Sequence, residues 1–348
     1  MDPEYLIMVT KETYNSRVFQ KMSLWLEGAI RTDEFTSEEM HDHVSKYLEM
    51  LATSTRSEES AETVNRAFQM IEDIQSGKTV PYWSTGSKRF DQIVALGPRK
   101  IIMVAAQKKI GKSRFVIDRM MHVMNNHPDL QIIWFTFEMR PEEVIMNQIS
   151  WITGLDTRLL QGKLGPMSPE QLQEVRRTKK ALQLAPIKWV NQRRTIDQIV
   201  KDMHRWVKGP TIMILDNVGL VETLPGRTDI QNEDEIAKRM VQMRDELDLC
   251  IIPVHHLSKE SESRFNKDDL YRPKVTHVRG SSRLVDYSNE LLLLHRPGHY
   301  KDLADVYGPQ KWAEIQDKFL CDVPINRDGP EGEINFRHEI FCSSFYEL

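Results

Sequence analysis

Gly111-Lys112-Ser113 closes a stretch in which an apolar run, Ile101–Ala106, passes through a short loop into a polar helical pattern reaching Asn125. Strand, loop and helix in that order let backbone N–H groups close around phosphates. Lys112 then neutralises the β and γ oxygens, and Ser113 offers its hydroxyl to Mg2+. The phosphate-cradling residues are Ala106, Gln107, Lys108, Lys109, Ile110, Gly111, Lys112, Ser113 and Arg114. Gly111 leaves room for close backbone approach. Ala106 stands where the GxxxxGK[ST] pattern has its first glycine. The competing reading is a Gly-Lys helix start that binds no nucleotide.

Phosphate cleavage also needs an acid that anchors the metal at a strand end and a carboxylate that polarises the attacking water. Thr211-Ile-Met-Ile-Leu-Asp216 is an apolar run ending in one acid, and Ile132-Ile-Trp-Phe-Thr-Phe-Glu138 is a second. Carboxylates at the carboxyl ends of buried parallel strands stand where such sheets place their ligands. Asp216 is therefore the expected metal anchor beside Ser113, and Glu138 the expected water-polarising group. Taken singly, each acid also suits a helix cap.

Parallel strands buried on both faces must hold these groups. Ile101–Ala106, Ile132–Phe137, Thr211–Leu215, Cys250–Val254 and Leu291–Leu294 are short Ile/Val/Leu-rich runs separated by polar helical stretches. That alternation over about 200 residues predicts a doubly wound α/β domain. Before Pro81 the texture is helical and polar. Met22, Leu24, Leu26 and Ile30, then Val44, Leu48 and Leu51, predict short amphipathic helices, with Thr36 and Glu39 at capping-box spacing. A third helix is expected from Glu58 to Gln75, burying Val64, Phe68, Met70, Ile71 and Ile74 and stopped by Gly77. The expected domains are a helical region at 1–55, a further helix at 56–79 and the α/β domain at 80–348.

The motif series resembles the C-terminal motor domain of DnaB-type replicative helicases, with some features of phage hexameric helicases. Thr85-Gly86, Phe90-Asp91 and Leu96-Gly97 resemble the family's entry segment, and Phe137-Glu138-Met139 its catalytic-glutamate motif. The family commonly has alanine where Ala106 stands. Asp216 matches its Walker B aspartate, while Asn217-Val218-Gly219 departs from the usual aromatic continuation. Ile251-Ile-Pro-Val-His-His-Leu-Ser258 resembles the strand of the γ-phosphate sensor, which places His256 in that role. Val278-Arg279-Gly280-Ser281-Ser282 resembles the segment after the DNA-binding loop. Asn326-Arg327-Asp328-Gly329-Pro330 looks like the hairpin that presents an arginine finger to the neighbouring subunit's phosphates. Arg327 also suits an ordinary turn, since Asp-Gly-Pro is good turn chemistry. Ile325 stands where the family often has lysine.

The resemblance covers residues 80–348 and implies a RecA-like P-loop NTPase with a mainly parallel central sheet, preceded by a small all-helical region. The 56–79 helix resembles the family's linker helix, which packs on an adjacent subunit; residues 1–55 match nothing. The resemblance also implies ATP or another NTP with Mg2+, and a homo-oligomeric ring, a hexamer, on single-stranded DNA. Partners expected beyond these are a separate primase, a helicase loader or a polymerase. The expected place is the cytoplasm, bacterial or that of a phage host.

In such a ring the loops after the Walker B and sensor strands face the channel. The first, Glu222 to Asp234, carries only Arg227 among several acids. The second, Lys259 to Thr276, carries Lys259, Arg264, Lys267, Arg272 and Lys274 interleaved with Phe265 and Tyr271. With Arg279 these are the candidate DNA contacts, cations for phosphates and aromatics for bases. Glu260, Glu262, Asp268 and Asp269 are mixed among them, so a plain solvated loop is the competing reading.

Composition narrows the rest. A net charge of −4 is not the profile of a protein that coats nucleic acid, so contacts with it must be local. No apolar run approaches the roughly 20 residues of a membrane span, and the acidic N-terminus is not a secretory signal. Cys250, Cys321 and Cys342 lie far apart, which disfavours structural zinc and disulfides. What the resemblance implies is an ATP-driven replicative helicase that moves 5′ to 3′. The alternatives are another RecA-superfamily ATPase, recombinase-like or regulatory, and a hydrolysis-deficient assembly platform.

Overall fold

The computed structural model describes residues 3–32, 35–78, 81–258, 271–278 and 282–348. They form two compact units, Met1–Val80 and Pro81–Leu348. Among them no helix is long and apolar enough to cross a membrane.

The first unit is two helices, α1 (Pro3–Thr32) and α2 (Ser37–Gln75). The capping box at the start of α2 forms as expected: the Glu39 amide donates to Thr36 Oγ1 at 3.3 Å and the Thr36 amide to Glu39 Oε2 at 2.9 Å. Trp25 stacks on His43 at 4.4 Å and joins the two helices. The separate third helix expected from Glu58 does not exist, because α2 runs unbroken through 55/56. No glycine or proline lies between Thr36 and Gly77 to interrupt it. Gly77, with φ of 73°, ends it as expected. The expected burial of the far stripe is also corrected: Val64, Phe68, Met70 and Ile71 are all exposed. Among the described residues only two helices make this unit, and neither supplies a surface to cover that stripe.

The second unit is built on one nine-stranded sheet. Its elements are α3 (Lys88–Ile93), β1 (Lys100–Ala106), α4 (Lys112–Asn126), β2 (Gln131–Thr136), α5 (Pro141–Thr153), α6 (Thr157–Leu160), α7 (Pro169–Leu184), β3 (Ile187–Val190), α8 (Ile196–Trp206), β4 (Thr211–Asp216), α9 (Asp229–Glu246), β5 (Cys250–His256), α10 (Ser282–Asp286), β6 (Glu290–His295), α11 (Leu303–Ile315), β7 (Lys318–Asn326), β8 (Gly332–Glu339) and β9 (Ser344–Glu347). The strand order is β3-β2-β4-β5-β1-β6-β7-β8-β9. The first six are parallel and the last three antiparallel.

Burial explains why β1 is apolar from Ile101 to Ala106. Ile102, Val104 and Ala106 enter the core on one face of the sheet, and Ile101, Met103 and Ala105 the core on the other. Each fully buried aliphatic side chain contributes roughly 1.5–3 kcal/mol. A polar residue anywhere in the run would be unsatisfied on either face. The helices start on side-chain caps: Ser168, Thr195 and Thr228 each accept from the backbone amide three residues on. The five expected strands are present within a residue or two. β3 and β7–β9 add to that expected set, although the turn between β7 and β8 is the expected hairpin. β9 is fastened by Glu347, which accepts from Ser87 Oγ at 2.6 Å and from the Arg89 amide at 3.0 Å at the start of α3.

Candidate nucleotide site

β1 lies between β5 and β6, so the chain leaves the sheet to opposite sides there. A crevice opens at the carboxyl ends of the central strands. Ala106, fully buried, ends β1. Gln107 and Ile110 are also buried, while Lys108 and Lys109 are exposed. Gly111 precedes α4 with φ of 117°, a left-handed conformation that a side chain strongly disfavours. A Cβ there would also lie 2.7 Å from Ile340 Cδ1.

Lys112 opens α4 and turns back into the loop. Its ammonium donates to the carbonyls of Ala106 at 3.1 Å and Gln107 at 3.2 Å, and contacts His256 Nδ1 at 2.9 Å. These partners occupy all three of its donors. Burial pushes its pKa from 10.5 down to about 8, against the opposing pull of Asp216 and Glu138. Ser113 Oγ donates to Asp216 Oδ2 at 2.7 Å. Asp216 ends β4 and is 2% exposed, its other oxygen is buried without a partner, and burial raises its pKa. A buried carboxylate oxygen with nothing to accept, next to a hydroxyl, is a donor set that suits a hard cation such as Mg2+.

Glu138 lies just past the end of β2. The ladder reaches as far as the Phe137 amide, which donates to the Asp216 carbonyl at 2.7 Å. Glu138 Oε2 lies 3.0 Å from His256 Nε2 and accepts from Asn217 Nδ2 at 2.8 Å. The His256 contact is the largest cause holding the Glu138 carboxyl down near 2; the Asn217 bond and Lys112 add to it against burial. Lysine can only donate to Nδ1, so Nδ1 accepts and Nε2 carries the proton given to Glu138. His256 thus bridges Lys112 and Glu138. The crevice is lined by Lys108, Glu138, Asn217, His255 and His256 with the segment from Val218 to Val221.

Asn217, a departure from the family's aromatic continuation, proves to be a partner of Glu138. No signal in the sequence connects positions 79 apart in the chain. Arg114 is turned away from the crevice: its guanidinium reaches the Ile340 carbonyl and Thr157 Oγ1. Two side chains that no sequence motif singles out hold the outside of the phosphate loop. Arg296 donates to the Lys109 carbonyl at 3.1 Å, and the Tyr300 hydroxyl to Gln107 Oε1 at 2.5 Å.

Arg327 is not in this group. Asn326 pairs with Glu290 at the start of β6, and Glu290 pairs with Ile102 near the start of β1. With about 3.3 Å of rise per residue, the four steps from Ile102 to Ala106 span about 13 Å. Arg327 is exposed at the amino ends of the parallel strands, its amide bonded to the Asn289 carbonyl at 2.9 Å and its guanidinium to the Asp286 carbonyl.

Of the candidate DNA contacts, Lys259, Arg264, Lys267 and Arg279 lie outside the described residues, as does Phe265. Arg272 is paired with Glu333 at 2.7 Å, and Lys274 is exposed beside a short helical turn. The first loop is shorter than expected, because Thr228 caps α9 and residues from Asp229 on are helical. Its lone cation, Arg227, pairs with Glu235 of that helix at 3.1 Å.

No curated protein sequence matches the chain. Among solved structures, the ATPase domain of a phage protein superposes with a TM-score of 0.70 at 18% identity, covering 83% of this chain and 98% of that one. A DnaB-like replicative helicase, described with its interactions with primase, gives 0.69 at 16% identity, covering 98% of this chain and 78% of that one. At such identities these likenesses speak for the fold. The sequence profile of the DnaB-like helicase C-terminal domain matches residues 83–347, most of the chain, and the protein belongs to that family.

Proposed function

We propose that the protein is an ATP-dependent replicative DNA helicase that assembles into a ring, a hexamer, and moves 5′ to 3′ on single-stranded DNA. The observation that carries the reading is the connected set Lys112–His256–Glu138 with Ser113–Asp216, drawn from four strand ends into one crevice. The backbone from Ala106 to Ser113 cradles the phosphates, and Lys112 exchanges its carbonyl partners for phosphate oxygens. Ser113 and Asp216 hold Mg2+, which when bound neutralises charge on the β and γ oxygens. Glu138 is kept ionised with Oε2 occupied by two donors, which leaves Oε1 to orient and accept from the attacking water. Lys112 drawn toward a γ-phosphate releases His256 Nδ1, and this supports His256 as the sensor of that phosphate.

Arg327 stands too far from its own phosphate loop to reach it, which favours action on a neighbouring subunit's nucleotide. A permanently charged planar guanidinium suits the charge that develops on a transferring phosphoryl group. The exposed Val64, Phe68 and Ile71 support the 56–79 segment as a helix that packs on the adjacent subunit. Lys259, Arg264, Lys267, Lys274 and Arg279 are the DNA contacts of this reading, repeated around the ring so that weak single contacts add. Arg272 contributes only where DNA displaces Glu333. Primase, loader or polymerase are the partners, and the cytoplasm of a bacterium or phage host is the setting. The test is steady-state ATP hydrolysis with and without single-stranded DNA, followed by unwinding of a forked duplex with a free 5′ arm. Hydrolysis that DNA does not stimulate in the assembled protein would sink the helicase reading in favour of the other ATPases of the superfamily.

A further inference from the structure

Tyr300 touches two parts of the molecule that the proposed cycle must connect. Its hydroxyl donates to Gln107 Oε1 at 2.5 Å, and its ring lies parallel to that of Tyr271, with centroids 4.6 Å apart and planes 5° from parallel. Gln107 follows Ala106 in the phosphate loop, is 7% exposed, and gives its backbone carbonyl to Lys112. Tyr271 belongs to the 259–276 loop, fifteen residues past His256 in sequence. Its hydroxyl donates to Asp302, which lies two residues after Tyr300. The segment that presents Tyr300 is held on its other side. Gly298 packs so close to the Gln316 carbonyl that a Cβ would lie 2.2 Å from that oxygen. Next to it Arg296 donates to the Lys109 carbonyl. The backbone of the Pro297–Tyr300 turn is therefore fixed between the phosphate loop and Tyr271.

We infer that Tyr300 is a positioning residue that couples the segment 271–276 to the phosphate loop, through its stack on Tyr271 and its hydrogen bond to Gln107. A shift of Tyr271 moves the Tyr300 ring. The hydroxyl then draws or releases Gln107, and with it the carbonyl that holds Lys112. Coupling by this route is separate from the bridge that His256 makes on the inner side of the same loop. Where the 259–276 loop is a DNA contact, as in the function proposed above, the relay reports DNA to the nucleotide. The link itself is independent of what the loop binds.

The experiment is a double-mutant cycle on the full-length protein with Tyr300→Phe, Tyr271→Leu and the pair. Affinity for a fluorescent ATP analogue with Mg2+ is read by titration, without DNA and then with single-stranded DNA. Tyr300→Phe keeps the ring and removes one bond to a buried acceptor, so the expected loss of affinity is about three- to tenfold. Tyr271→Leu changes a residue whose stack is on Tyr300, not on the nucleotide site itself, yet it should weaken the analogue by a similar factor, with the pair no worse than either alone. Unaltered affinity in Tyr271→Leu, or losses that add in the pair, would overturn the coupling. Melting temperature measured alongside distinguishes coupling from general loosening, which would lower stability and also produce additive losses. The DNA arm tests the functional reading separately. If DNA leaves the wild-type affinity unchanged, the helicase reading loses its support, while the DNA-free cycle still decides the relay.

Discussion

The imidazole of His256 stands 3.0 Å from the Glu138 carboxylate, and its other nitrogen stands 2.9 Å from the Lys112 ammonium. One imidazole ring therefore links the group that holds phosphate to the group that activates water. Because the His256 contact is the largest cause of the low Glu138 pKa, its removal should let that carboxyl rise from about 2 toward its ordinary 4.5. The contribution of ionised Glu138 is present above its pKa and lost as pH falls through it. His256→Ala is thus expected to lose hydrolysis below about pH 5, where the wild type retains it. Matching acid limbs in the two pH–rate profiles would refute the link.

Lys112 gives two pH effects of opposite sign. Its pKa of about 8 in the folded nucleotide-free protein lies below the 10.5 of the free side chain. As pH rises through 8 the ammonium is lost, and affinity for ATP should weaken by up to tenfold per unit. Over the same window the unfolded chain holds the proton that the folded one has released, so stability should rise between pH 8 and 10.5. The gain is on the order of 3 kcal/mol. Nucleotide titration and denaturant melts at pH 7, 8 and 9 check both. A Lys112→Met variant should be flat in each.

Asp216 is a buried carboxylate whose ionisation is opposed by burial. Asp216→Asn is expected to melt no lower than the wild type without Mg2+, and a few degrees higher if the charge costs about 1–2 kcal/mol. It should also lose the extra stabilisation that Mg2+ and ATP together give the wild type. A variant that still responds fully to Mg2+ and ATP would remove Asp216 from the metal site.

Arg327 at the amino ends of the strands and Glu138 at the carboxyl ends predict a site shared between subunits. Arg327→Ala and Glu138→Ala should each lower hydrolysis by about a thousandfold or more. Mixed and reassembled, they should recover a measurable fraction of activity, since some interfaces then unite an intact Glu138 with an intact Arg327. No recovery in mixtures shown by light scattering to be co-assembled would place the finger elsewhere.

The exposed stripe on α2 predicts a loss of assembly on charge insertion. Phe68→Glu is expected to keep its helical circular dichroism, because Phe68 is 64% exposed and packs on little in the single chain. It should elute as a smaller species in size-exclusion chromatography with light scattering. An unchanged ring would mean that α2 does not make the subunit contact.

Lys112, Ser113, Glu138 and Asp216 are legible in the residue order alone, because the middle of a parallel strand buried on both faces must be apolar. Polar groups at or just past the carboxyl end of such a run face the crevice, so the groups able to do the chemistry and the strands that carry them can be read together. β3 and β7–β9 are harder to read. The antiparallel strands mix buried and half-exposed positions, as where Ile334 and Phe336 are buried between Glu333 and Arg337, so no continuous apolar run marks them. The continuity of α2 is legible in the absence of Gly and Pro, but its exposed stripe is not, because periodicity shows a face without showing what covers it. Folding in three dimensions was needed to bring Asn217 and His256 onto one oxygen of Glu138, to turn Arg114 away and to set Arg327 at the far end of the sheet. It also carries Tyr300 to Gln107. Each of these contacts joins distant segments through strand order and register, which local residue patterns do not encode.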